Sequence, residues 1–225
     1  MADIGVFEAI HTARARRRFR PDPVPTEIIT RVLEAAICAP SGGNVQDWYF
    51  VVVTDADQRR RVGAAYAKAS LSVRPFYENR RRPEHMTDTE ERHLKSSGFY
   101  LHEHMADAPV LLLVCGRRRE PRPDITNLGA NPLLRMTLAT ACASIYPAVQ
   151  NVILACRALG LGTVLTTNHI LCEQDVKDAL GIPDDVDTYA LMPIGYPLGK
   201  FGPVRRKPLT EVAMHDRWDS AWSSA

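Results

Sequence analysis

Residues Arg14 to Pro25, RARRRFRPDPVP, put five arginines into seven positions and then close the run with three prolines. Planar guanidinium groups bind the oxygens of a phosphate or carboxylate through paired, charge-assisted hydrogen bonds, so such a cluster is a candidate anion clamp. Arg14, Arg17 and Arg18 are spaced three and four apart; if the preceding helix continues through them, they share a face and converge on one anion. The prolines force the chain out of helix directly afterwards, which places the run at a helix end or in a tight loop. A solvated surface face and a nucleic-acid arm are the competing readings of the same run. A second stretch, APSGGNVQDW (39–48), packs Pro40, Ser41, Asn44 and Gln46 between a helix end and an apolar strand, where backbone and amide groups can line a pocket for a polar ring.

Other chemistries find no footing. Lys+Arg 28 against Asp+Glu 26 gives a formal charge of only +2, so the positive charge is local and the chain as a whole does not read as a nucleic-acid binder. Cys38, Cys115, Cys142, Cys156 and Cys172 are odd in number, scattered in apolar surroundings and without a CxxC pair, which reads as reduced core thiols rather than zinc ligands or disulfides. His102 and His104 are two apart and point to different faces of a helix, so no metal site is expected. Cys172, three after His169, reads as core or loop, and GxSxG and Cys/His dyad signatures are absent. The arginines of NRRRPEH (79–85) and CGRRREPRP (115–123) read as solvated loops, although one of them could attract a phosphorylated nicotinamide cofactor. No run approaches the roughly 18 apolar residues of a membrane span, and the start lacks the pattern of a signal peptide, so a cytoplasmic protein without a membrane partner is the expectation.

The elements that must position these residues follow from periodicity. Apolar residues at helical spacing predict helices over 4–13 and 26–39, the second with Thr26 as N-cap and Ile29, Val32, Leu33 and Ala36 on one face. Short apolar, β-branched runs predict strands at 48–54, 109–116, 163–167 and 188–196. A long helical stretch, 134–162, carries Pro147, which should kink or divide it, and Gly160 as a C-cap. Between them lies a charged region, 70–107. The chain shows no repeat and no linker, so one domain spanning 1–225 with an α+β layered architecture is predicted.

The order RxxRRFxPDPVP, a helix, APSGGNxQxW and an apolar strand resembles the start of the FMN-dependent nitroreductase family. RALGLGTVLTT (157–167), LGIPDDVDTYALMPIGYP (180–197) and RRKPLTEV (205–212) resemble, in order, its flavin-contacting turn, its late strand and its closing basic motif. The resemblance implies a three-layer α-β-α sandwich with a mostly antiparallel sheet, working as a homodimer, with 70–105 as a substrate-covering insert and 200–225 as a C-terminal extension. It implies FMN as cofactor, NADH or NADPH as reductant, and a nitroaromatic, quinone or other activated small molecule as electron acceptor. Arg14, Ala15, Arg17 and Arg18 fall on the positions that meet the FMN phosphate and ribityl chain, and Arg206 on an arginine that closes over that phosphate. Ala13 and Ala15 stand where many members have Arg and Ser, so Arg16 or Arg18 is the implied substitute donor. Pro40, Ser41, Asn44 and Gln46 occupy positions that meet the flavin from the partner subunit, with Asp47 in place of a common proline. Leu165, Thr166 and Thr167 occupy the turn facing the ring, Thr167 near N(5). Related activities remain as alternatives: flavin destruction, against which Ala15 replaces an acidic residue, and reductive dehalogenation, for which the substrate-gripping lysine position is His102. A flavin-storage protein is the non-enzymatic alternative.

Overall fold

A computed structural model describes residues 4–118 and 132–222; of Leu133 and Leu134 it describes the backbone alone. The chain runs through α1 (Val6–Thr12), α2 (Thr26–Ile37), β1 (Trp48–Val53), α3 (Ala56–Asn79), α4 (Asp88–His104), β2 (Val110–Arg117), α5 (Pro132–Ala158), β3 (Gly162–Thr163), α6 (Glu173–Leu180) and β4 (Val186–Gly195). The sheet has the order β1-β2-β4-β3 and every pairing in it is antiparallel.

The two-residue period of β2 divides the core between two faces. Val110, Leu112 and Val114, with Ala190, Met192 and Ile194 of β4, pack against Val32 and Ala36 of α2 and Ile145, Val149 and Val152 of α5. Leu111, Leu113 and Cys115, with Leu191, face Val62 and Tyr66 of α3, Leu101 of α4 and Val176 of α6. The result is the expected α-β-α sandwich, with both faces of the sheet covered.

Several local expectations needed correction. Thr26 is the first residue of α2, not its cap: Pro25 holds the N-cap position in extended geometry, its carbonyl accepts from the Ile28 and Ile29 amides, and no side chain caps the helix. The third strand is shorter than 163–167; after Thr163 the chain leaves the ladder and touches it again only where Thr166 and Leu191 exchange backbone hydrogen bonds at 3.0 and 3.1 Å. Pro147 does not divide α5, because Ile145, Ala148, Val149 and Val152 on both sides of it are anchored on the sheet. Gly160 does end that helix, at φ 74°, with the Leu161 amide reaching back to the Cys156 carbonyl at 2.7 Å. By length and composition Arg135–Ala158 could cross a membrane, contrary to the expectation that no run would qualify. Its C-terminal half is instead a core element of the sandwich. The charged stretch 70–107 is mostly helix, the second half of α3 followed by α4, whose start carries a capping box of Thr87 and Glu90.

Candidate functional site

The arginine run is extended, not helical. α1 ends at Thr12, and the next residues pair along β3 and the end of β4: the Arg16 amide donates to the Thr163 carbonyl at 2.9 Å, Arg20 to Tyr196 at 2.8 Å, and Leu198 to Arg18 at 2.9 Å. Arg14, Arg17 and Arg18 therefore do not share a helical face. Backbone pairing to β3 and the φ restriction of Pro21, Pro23 and Pro25 hold the run extended. Its side chains divide into two sets.

The first set gathers at the C-terminal segment. Arg16 donates to the Lys200 carbonyl and lies over Phe201, 5.2 Å from the ring centroid, with Arg157 over the same ring at 4.2 Å. A Cβ added at Gly202 would stand 3.8 Å from Arg14 Nη1, so Arg14 belongs to this group too. Burial, followed by the Arg14 and Arg157 charges, lowers the Arg16 pKa. Arg16 Nε and the neighbouring Thr163 Oγ1 are both buried without a hydrogen-bond partner among the described residues. Crowded guanidiniums beside two orphaned polar atoms suit a phosphate. Arg206 is exposed, two residues beyond Val204, whose amide is tied to the His11 carbonyl; its guanidinium donates to the Arg205 carbonyl.

The second set turns toward α4. Arg18 stacks on Tyr100 at 3.7 Å, which removes it from the Arg14, Arg16 and Arg157 cluster. Arg17 enters a cavity of about 450 Å³ bounded by α3, α4 and the Val164–Asn168 turn. There it donates to the Ser97 hydroxyl at 3.3 Å, and burial lowers its pKa against the opposing influence of Tyr66 and Tyr77. The cavity wall is largely apolar, through Tyr77, Leu94, Phe99, Leu101 and Val164.

A buried network fixes the turn. Tyr66 is 1% exposed, and its hydroxyl lies 2.8 Å from Thr166 Oγ1, which also accepts from the Asn168 amide at 3.3 Å. His102 stacks on Tyr66, with centroids 4.9 Å apart and an interplanar angle of 14°, while its Nε2 meets Asn168 Nδ2 at 3.2 Å. Burial raises the Tyr66 pKa and lowers that of His102, so both are neutral near pH 7. Thr166 is thus committed to the scaffold. Thr167 is exposed on the cavity wall with its carbonyl accepting from Ile170, and Leu165 is half-buried against the α5 side of the core. Periodicity read 163–167 as a strand and the resemblance named Leu165–Thr167 as a turn; neither pointed to Tyr66 or Asn168. Tyr66 was legible only as one apolar position in the Val62, Ala65, Ala69 stripe of a helix not recognised as such.

The APSGGN loop lies elsewhere. It precedes β1, whose first residue Trp48 pairs with Gly116 at the end of the sheet that holds Asp187, whereas β3 pairs with Ile194 and Gly195 at the opposite end. The Gly42 amide donates to Ser144 Oγ of α5 at 3.1 Å, and the Gln46 amide to Ser41 Oγ at 3.0 Å. Pro40, Asn44 and Gln46 are exposed, with Asn44 and Gln46 at φ 54° and 58°. One chain therefore does not bring this loop to the arginines. The arginines at 119 and 122 lie outside the described residues, and among the described residues no group of three His, Cys, Asp or Glu is placed to hold a metal.

The sequence matches the nitroreductase family over residues 10–196. It is 30% identical to an NADH dehydrogenase of Thermus thermophilus over 209 residues, covering 89% of this chain and 91% of that protein. It is 26% identical to human iodotyrosine deiodinase 1 over 214 residues, 92% of this chain but only 66% of the deiodinase. The fold superposes on an oxidized iodotyrosine deiodinase bound to FMN and 3-iodo-L-tyrosine with a TM-score of 0.66 at 24% identity, covering 95% and 99% of the two chains.

Proposed function

Because the chain belongs to the nitroreductase family, we propose that it is an FMN-dependent oxidoreductase that takes a hydride from NADH or NADPH and reduces a small activated acceptor such as a nitroaromatic or quinone. The observation that carries this reading is the junction of three features at the β3 edge of the sheet: the crowded Arg14 and Arg16, the Val164–Asn168 turn, and the apolar cavity entered by Arg17. Their chemistry fits FMN. The crowded guanidiniums and the orphaned Arg16 Nε and Thr163 Oγ1 would receive the phosphate end, and the cavity has the size and apolar wall of a small-ligand site. FMN, when bound, supplies the redox chemistry. Arg17 would then balance negative charge at the edge of the ring, Thr167 would offer its amide or hydroxyl to the ring, and the Tyr66, His102 and Asn168 network would hold that turn in place. No side-chain nucleophile is needed, in keeping with a sequence that shows no GxSxG or Cys/His dyad signature.

A titration of purified protein tests the reading. One FMN per chain is expected, with the yellow colour bleaching under reduced nicotinamide in the absence of oxygen. A protein that takes up no FMN contradicts the proposal. Reductive dehalogenation is the second reading, favoured by the match to the deiodinase over most of this chain. It is weakened by His102, the position at which the resemblance puts the substrate-gripping lysine of that group: its imidazole is buried and stacked on Tyr66. Iodide release from iodotyrosine under reducing conditions would decide for it.

A further inference from the structure

The cavity wall carries more positive charge than its own residues neutralise. At the end of α3, Arg81 pairs with Glu84 at 3.7 Å and Arg82 with Asp88 at 2.8 Å. Arg80 lines the cavity and is the member of the three that has no ion pair or hydrogen bond among the described residues. Glu91 is the single acid on the wall, and Lys95 already engages it at 3.2 Å. Arg17, which also lines the cavity, donates to the neutral Ser97 hydroxyl and makes no ion pair among the described residues. Arg80 is exposed, so it stands at the mouth with His85 beside it in the lining, while Tyr77, Leu94, Phe99 and Leu101 make an apolar wall between mouth and turn.

We propose that Arg80 is a specificity-determining residue that grips an anionic oxygen group of the acceptor, and that the acceptors this protein prefers are nitroaromatics or quinones that also carry a carboxylate, with the nitro or quinone group being reduced, the ring on the apolar wall and the carboxylate on Arg80. The inference rests on the oxidoreductase reading above and adds the acceptor class to it. The guanidinium fork matches a carboxylate in two parallel hydrogen bonds. An unpaired arginine costs nothing while water solvates it, and its attraction for an anion strengthens once a ligand fills the cavity and excludes that water. A neutral acceptor of the same shape would gain only the apolar contacts. The other source of anionic oxygen is the ribose phosphate of NADPH, which the experiment separates.

Calorimetric titration of the FMN-loaded protein with 4-nitrobenzoate and with 4-nitrobenzyl alcohol reads the subsite without turnover. The acid should bind about tenfold more tightly than the alcohol. Arg80→Gln should erase that preference, Arg80→Lys should keep part of it, and Arg81→Gln, which alters an exposed pair off the cavity wall, should leave it intact. Equal affinities in the parent protein overturn the proposal, as does a preference that survives Arg80→Gln. A loss in Arg80→Gln confined to NADPH relative to NADH, with the acid preference unchanged, also overturns it and assigns Arg80 to the reductant. FMN content, measured on every variant by absorbance, tests the underlying reading separately: a parent protein that takes up no FMN removes that reading and the acceptor class with it, whereas an FMN-loaded parent without the acid preference overturns the Arg80 proposal alone.

Discussion

Arg17 is a guanidinium withdrawn into a cavity with a hydroxyl as its partner, whereas Arg16 and Arg14 crowd together beneath the C-terminal segment. The run is therefore two devices, and the extended backbone is what separates them. Charge-assisted hydrogen bonds are worth roughly 1.5–3 kcal/mol, so Arg17→Ala should weaken FMN binding by on the order of tenfold to a hundredfold while leaving the fold intact. Arg206→Ala should cost less, since that side chain is exposed and held only by the Arg205 carbonyl. Fluorescence titration with FMN checks both, and an unchanged affinity in Arg17→Ala would return that residue to a packing role. At this scale the sequence was informative about residue types and silent about directions. Five arginines in seven positions make an anion clamp one of three readings, and which of them enter the cavity depends on pairing with Thr163, 147 residues further along by the numbering of the two residues.

Elements were legible where local pattern and tertiary role agree. β1, β2 and β4 are largely apolar because both faces of the sheet are covered, and α2 repeats its apolar residues at helical spacing because one face meets the sheet. α3 and α4 were not, since the charged, arginine-rich surface that encloses the cavity masks their sparse buried stripes, Val62, Tyr66 and Ala69 in one, Leu101 and His102 in the other. The short helical turn Asn168–Cys172 was equally hidden, and it carries the next prediction. His169 there is fully buried, its Nε2 3.1 Å from Thr188 Oγ1, which in turn donates to Glu173 of α6 at 2.7 Å. Burial pushes the imidazole down to about 4, opposed by the Glu173 charge. The folded state then binds the His169 proton less readily than the unfolded chain, whose imidazole titrates at 6.5. Stability is complete above that value and falls as pH drops from 6.5 toward 4, by on the order of 3 kcal/mol from this group. Urea unfolding at a series of pH values should show the decline, and His169→Gln should flatten it in that window. An unaltered pH dependence in the variant would show that His169 is not its source.

At the scale of the whole molecule the two halves of the candidate site are at opposite ends of the sheet, and one chain cannot join them. The exposed Pro40, Asn44 and Gln46 sit on a loop fastened to α5 through Ser144, next to the part of α5 that the fold leaves uncovered. Only 28% of the most apolar stretch of that helix is buried, and Met136, Ala139, Cys142 and Ala143 face outward. A second copy of the chain would cover that surface and, in the same act, bring its APSGGN loop to the arginines and turn of the first, so that two equivalent sites arise from one twofold interface. On the proposed reading dimerisation and cofactor binding would be coupled, FMN favouring the dimer in which the loop joins the arginines and the turn. The protein should sediment as a dimer at micromolar concentration. Ala139→Glu, which places a charge in the uncovered apolar stretch without touching the cavity, should shift it to monomer and lower FMN affinity together, and excess FMN should push the variant back toward dimer. A chain that sediments as a monomer with FMN bound at one per chain would sever that coupling and require a site completed within a single subunit.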